Sequence, residues 1–214
     1  MSGAGGAGAV DLDAWPHVFE PGDRDAPVLL TLHGTGGNEQ EITALVPHLW
    51  PGAGVLSPRG RANEQGMTRW FRRMGEGVFD VDDVIVRAGE LVAFVAAARE
   101  RYELGDRRII AAGFSNGANI GVATALLHPE TLDRVVAFSG MYPFADRDPL
   151  GDVSAVELVL LNGAADPMAP SASVDRLVEV ARAHGATVER HVRPGGHGLA
   201  QSDVDAAREW LAAR

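Results

Sequence analysis

The stretch RRIIAAGFSNGANIGVATALLH, residues 107–128, decides the fold. Its first part, Arg108 to Ala112, is an apolar run of strand length that stops at Gly113-Phe114-Ser115-Asn116-Gly117. A pattern of small and apolar residues, Ala118 to Leu127, then has the length of a helix. Strand, G-x-S-x-G and helix in that order describe a sharp turn that presents a serine hydroxyl at its tip. The turn strains the serine backbone, so the residues two positions either side must lack bulk. Gly113 and Gly117 meet that need, and Ala112 and Ala118 keep crowding low. The helix that starts at the serine aims its N-terminal N–H groups and positive dipole end at the same point. The spelling predicts a nucleophile at Ser115.

Working outward, apolar runs alternate with helical patterns along the chain, which predicts an α/β fold with a mostly parallel twisted sheet covered by helices on both faces. Strands are expected at Val28–His33, Gly54–Ser57, Arg134–Phe138, Val156–Leu161 and Thr187–Val192. Helices are expected at Glu39–Leu49 (with Asn38 as N-cap), Asp82–Tyr102, Ser171–His184 and Ala200–Ala213. Residues 58–81 lack periodicity and read as a long loop. Residues 1–20 read as an N-terminal tail with a candidate edge strand, and residues 21–214 as a single domain without a large lid insertion.

Composition narrows the function. The chain has 214 residues, 46% of them hydrophobic, which suits one globular core. A formal net charge of −10 argues against nucleic acid as a partner. No apolar stretch approaches bilayer length, so membrane insertion is not expected. The first residues contain no secretory pattern, which makes the cytoplasm the default location. Cysteine is absent, which removes disulfides and thiol chemistry. The composition is compatible with a homodimer.

Three expected strand ends carry Ser115, Asp166 and His197 in that order, the order α/β-hydrolases use. Ligands of open parallel sheets bind just past such ends. A serine hydroxyl is a poor nucleophile near neutral pH and needs a base to take its proton. His197, in the flexible run Pro194-Gly195-Gly196-His197-Gly198, suits that role; the other six histidines lie before the core, at helix ends, in a strand or before a glycine turn. Asp166 would orient the imidazole, with Asp146, Asp148 and Asp152 as competitors after the preceding strand. Backbone N–H donors for an oxyanion are expected at Asn116 and, in the glycine-rich turn 33–37, at Thr35.

The set L-H-G-T-G-G (32–37), S-P-R-G (57–60), G-F-S-N-G (113–117), D-P-M-A-P (166–170) and G-G-H-G (195–198) resembles the carboxylesterase/phospholipase group of α/β-hydrolases. That group includes small carboxylesterases and acyl-protein thioesterases, and the likeness runs from about Val28 to the C-terminus. The resemblance implies a Ser-His-Asp esterase with no cofactor, no metal and little or no lid. The run R-A-N-E-Q-G-M-T-R-W-F-R-R (61–73) is similar to a branch of small bacterial carboxylesterases associated with aromatic-compound metabolism. Two positions depart from the pattern: Asn116 stands where the family often has Gln, and Asn162 where His is common.

The expected activity is hydrolysis of carboxylic esters of small soluble molecules through an acyl-enzyme. Acyl thioesters or lysophospholipids are alternative substrates, and a non-catalytic binder on the same fold is the alternative of a different class. Residues 58–81 carry Met67, Trp70, Phe71, Met74 and Phe79. These form either a satellite core under the loop or, through Trp70 and Phe71, a wall of the substrate pocket. Arg69, Arg72 and Arg73 would then rim its entrance.

Overall fold

A computed structural model describes residues 10–75 and 77–213. The expected tail therefore lies, over residues 1–9, outside the described residues, as do Glu76 and Arg214. In chain order the strands begin with β1 (His17–Glu20), β2 (Val28–Leu32), β3 (Gly54–Pro58), β4 (Ala62–Glu64), β5 (Met67–Arg69), β6 (Arg73–Gly75) and β7 (Val78–Phe79). They continue with β8 (Ile109–Phe114), β9 (Arg134–Phe138), β10 (Glu157–Gly163) and β11 (Thr187–Arg193). The helices are α1 (Val46–Leu49), α2 (Val81–Arg101), α3 (Asn116–Leu127), α4 (Ser171–Ala183) and α5 (Gln201–Ala212).

Seven strands form one sheet in the order β1-β3-β2-β8-β9-β10-β11. Every neighbouring pair is parallel except β1 with β3. Side chains alternate across the sheet with the period of two that strands impose. Leu30, Ala111, Val135 and Leu160 face the layer of α2, α3 and α4, where Leu91, Ile120 and Leu177 cover them. Their chain neighbours Leu29, Ile110, Val136 and Val159 face α1 and α5, against Leu49, Val204 and Trp210. Burial on both faces fixes register strongly, because a one-residue slip would exchange the two sets. Each such valine, leucine or isoleucine side chain contributes about 1.5–3 kcal/mol when buried.

Two expectations need correction. Residues 39–49 do not form one helix: a 3-10 turn at Thr43–Leu45 leads into the four-residue α1. Pro47 explains this, because it has no N–H to continue a helix from the preceding turn, and it sits in the first turn of α1, where none is needed. Asn38 closes a local turn instead of capping that helix, its Oδ1 accepting from Gln40 N at 2.8 Å. Residues 58–81 are not a structureless loop. They hold two antiparallel hairpins, β4–β5 and β6–β7. The first turns at Gln65-Gly66, both with positive φ (52° and 88°), which is the twist a two-residue hairpin favours. Asp80 starts α2, its side chain accepting from Asp83 N. Among the described residues no inserted helical domain covers the carboxyl ends of β8–β11, and no helix is long and apolar enough to cross a membrane.

Candidate active site

Ser115 stands between β8 and α3 with φ 54° and ψ −115°. A serine has no intrinsic preference for that left-handed region, so the surroundings must hold it there. Its N–H donates to Phe138 O on β9 at 2.8 Å, and its carbonyl accepts from Asn119 N at 3.0 Å. The flanking glycines make the close approach possible. A Cβ at Gly117 would sit 1.9 Å from Leu32 O, and one at Gly113 would sit 2.5 Å from Gly117 O. Elbow, β2 and α3 therefore pack backbone to backbone. Asn116 is the first residue of α3, so its N–H has no partner within the helix.

The structure brings Asp166 and His197 together. His197 Nδ1 and Asp166 Oδ2 are 2.8 Å apart, with the Asp166 side chain wholly buried. The other carboxylate oxygen accepts from Met168 N at 2.8 Å and Ala169 N at 3.1 Å. With Nδ1 donating to this carboxylate, Nε2 of a neutral imidazole is left as the acceptor. The His197 ring lies 5.1 Å from the ring of Phe114, the residue before the serine. The competing acids are elsewhere: Asp148 pairs with His184 at 2.9 Å, Asp152 accepts from Ser154 N, and Asp146 is exposed. Among the other histidines, His191 on β11 bonds to Glu189 of its own strand.

Behind the histidine loop lies a clamp. Arg193, the last residue of β11, donates through Nε to Asp203 on α5 at 2.7 Å. Its two terminal nitrogens donate to the carbonyls of Pro194, Gly196 and Gly198. Ser139 adds a bond to Gly198 O at 3.2 Å. Reading the sequence missed these residues, because nothing in an Arg and an Asp ten positions apart marks them as partners.

The turn 33–37 faces the elbow from β2. His33 is buried; its Nδ1 donates to Gly34 O at 2.7 Å and its Nε2 accepts from Gly60 N at 2.9 Å. Burial lowers its pKa, so the ring stays neutral in that bonded tautomer. This explains the S-P-R-G segment: Gly60 holds the turn, and Arg59 forms a two-pronged pair with Glu39 just beyond it. Trp70 is 3% exposed and Phe71 fully buried. Trp70 Nε1 donates to His33 O at 2.9 Å, while Phe71 packs edge-on against Phe79. Trp70 is thus tied to the turn, and Phe71 to the second hairpin. The three arginines are likewise engaged by carboxylates: Arg69 and Arg73 by Glu64, and Arg72 by Asp80. Among the described residues no group of three His, Cys, Asp or Glu side chains is placed to hold a metal ion.

The profile of the phospholipase/carboxylesterase family matches residues 14–214. The chain belongs to that family. It has the α/β-hydrolase fold and is similar to the Bacillus subtilis (strain 168) protein MhqD, named as a hydrolase, at 37% identity over 91% of this chain and 96% of the relative. A carboxylesterase of Bacillus cereus is 38% identical over 94% of each chain, with a TM-score of 0.88. A carboxylesterase of Mesorhizobium loti is 28% identical over 94% of this chain and 96% of its own, with a TM-score of 0.85. Family membership makes the protein a hydrolase of the carboxylesterase/phospholipase type.

Proposed function

We propose that the protein is a serine esterase that cleaves carboxylic esters of small molecules through an acyl-enzyme. The observation that carries this is the bond from His197 to the buried Asp166, in a chain whose serine at the start of α3 has a positive φ. Ser115 Oγ attacks the ester carbonyl carbon and gives its proton to His197 Nε2. The carbonyl oxygen takes up the electron pair and is held by the N–H groups of Thr35 and Asn116. Collapse expels the alkoxide, which takes the proton from His197. Water then repeats the sequence, releasing the acid and restoring the serine. Asp166 keeps the imidazole in the Nδ1–H tautomer and stabilises its charged form.

Neutral esters suit the site better than anionic ones, because Arg69, Arg72 and Arg73 are paired with Glu64 and Asp80 and the chain carries a net charge of −10. The test is covalent labelling with a fluorophosphonate and turnover of p-nitrophenyl and thioester substrates of graded chain length. Ser115→Ala should abolish labelling and reduce turnover by several orders of magnitude. Labelling that survives in the variant would remove Ser115 from the role, and a wild-type chain that neither labels nor turns over would favour a binder.

A further inference from the structure

The segment Thr68–Trp70 touches both halves of the proposed oxyanion hole. Thr68 O accepts from Gly36 N at 2.8 Å. Arg69, buried and 3.3 Å from Glu64, donates from Nη1 to Thr35 Oγ1 at 3.0 Å. Trp70 donates from its indole N–H to His33 O. Its backbone N–H in turn donates to Asn116 Oδ1 at 2.7 Å. Asn116 is only 2% exposed, so the side chain that replaces the family's frequent Gln points into the protein and grips this segment. Gly60 seats the segment closely, since a Cβ there would meet Arg69 O at 2.5 Å.

The Thr35 and Asn116 N–H groups come from separate parts of the chain, one after β2 and the other on α3. A hole made from two such parts stabilises an oxyanion only if both donors keep a fixed separation while charge develops. Four hydrogen bonds from three consecutive residues tie the two parts together. We propose that Thr68–Trp70 is a strap that sets the spacing of the oxyanion donors, with Arg69 and Trp70 as positioning residues. The proposal rests on the serine-esterase reading above.

Trp70→Phe tests it, because the N–H bond to His33 is lost while an aromatic side chain, smaller by the pyrrole ring, stays in place. In the folded variant kcat on p-nitrophenyl acetate should fall at least tenfold with KM within about threefold. This is less than the roughly 10²–10³ lost when a donor itself is removed. Fluorophosphonate labelling should slow in parallel. A second comparison does not depend on the core, because the Thr35 side chain is exposed. Thr35→Val removes the acceptor of Arg69 and Thr35→Ser keeps it, so kcat should be at least fivefold lower in the valine variant. A folded Trp70→Phe with unchanged kcat, or equal kcat for the two Thr35 variants, overturns the strap. If Trp70→Phe does not fold, the Thr35 pair decides. Wild-type protein that neither labels nor turns over overturns the esterase reading instead.

Discussion

At the scale of single residues, the candidate site depends on side chains whose hydrogen bonds are fixed by their neighbours. Asp166 accepts from Met168 N, Ala169 N and His197, and none of its side chain meets water. Asp166→Asn keeps the size but presents an amide that can donate to the imidazole and invert its tautomer. Turnover should drop on the order of 10⁴, by analogy with serine proteases; a rate within tenfold of wild type would separate Asp166 from catalysis. His33 is held by burial as well as by hydrogen bonds. Burial is the main cause of its lowered pKa, and the bond to Gly34 O with the nearby Glu41 and Glu39 only partly offsets it, while Arg59 adds to it. In the unfolded chain His33 takes a proton near its ordinary value of about 6.5. Between that pH and its lower folded value the unfolded state binds more protons, so stability is full above that pH and falls as acid is added. Nitrogen-15 shifts of His33 should hold the neutral Nδ1–H pattern at pH 6, where an unperturbed histidine is largely charged. A charged ring there would break the assignment of Nε2 as acceptor for Gly60 N.

At the scale of elements, the strands and long helices were legible because burial on both faces writes continuous apolar runs into the sequence. Val28–Leu32 and Arg134–Phe138 lie where those runs predict them, and all ten of these residues are buried. The elbow was legible for a different reason: only glycine fits where Gly117 meets Leu32 O. Residues 39–49 and 58–81 were not, since Pro47 breaks the first and the short strands of the second are too brief to show a period. Bonds such as Trp70 to His33 join residues 37 positions apart and leave no local signature. The Arg193 clamp belongs with these. Its guanidinium spans β11, the histidine loop and α5, with side chains only 15% exposed for Arg193 and 4% for Asp203. Arg193→Met leaves the buried Asp203 carboxylate with the Ala200 N–H but no counter-charge and should destabilise the fold by about 3–5 kcal/mol. Turnover should also fall at temperatures where the variant is still folded, because the carbonyls of Pro194 and Gly196 lose their donor and that of Gly198 keeps only Ser139. A destabilised protein with full kcat would show that the clamp serves the fold alone.

At the scale of the whole molecule, the candidate residues come from opposite regions of the sheet order. The turn bearing Thr35 follows β2, Ser115 follows β8, Asp166 follows β10 and His197 follows β11, the last strand in the sheet. With neighbouring strands about 4.8 Å apart, β8 and β10 are separated by about 10 Å, and the histidine loop folds back across that gap. Activity and bulk secondary structure should therefore share one denaturation midpoint when followed by ester turnover and by circular dichroism. A lower midpoint for activity would mean that the loop 194–198 releases before the sheet does.

The edge position of β11 also sets a timetable for the growing chain. Synthesis completes the elbow some eighty residues before it supplies His197. On the proposed esterase reading, the serine has no base until β11 docks on β10, and a half-made chain cannot acylate itself or squander substrate. Refolding should follow the same clock: sheet signals return first, and hydrolysis returns only with the last strand.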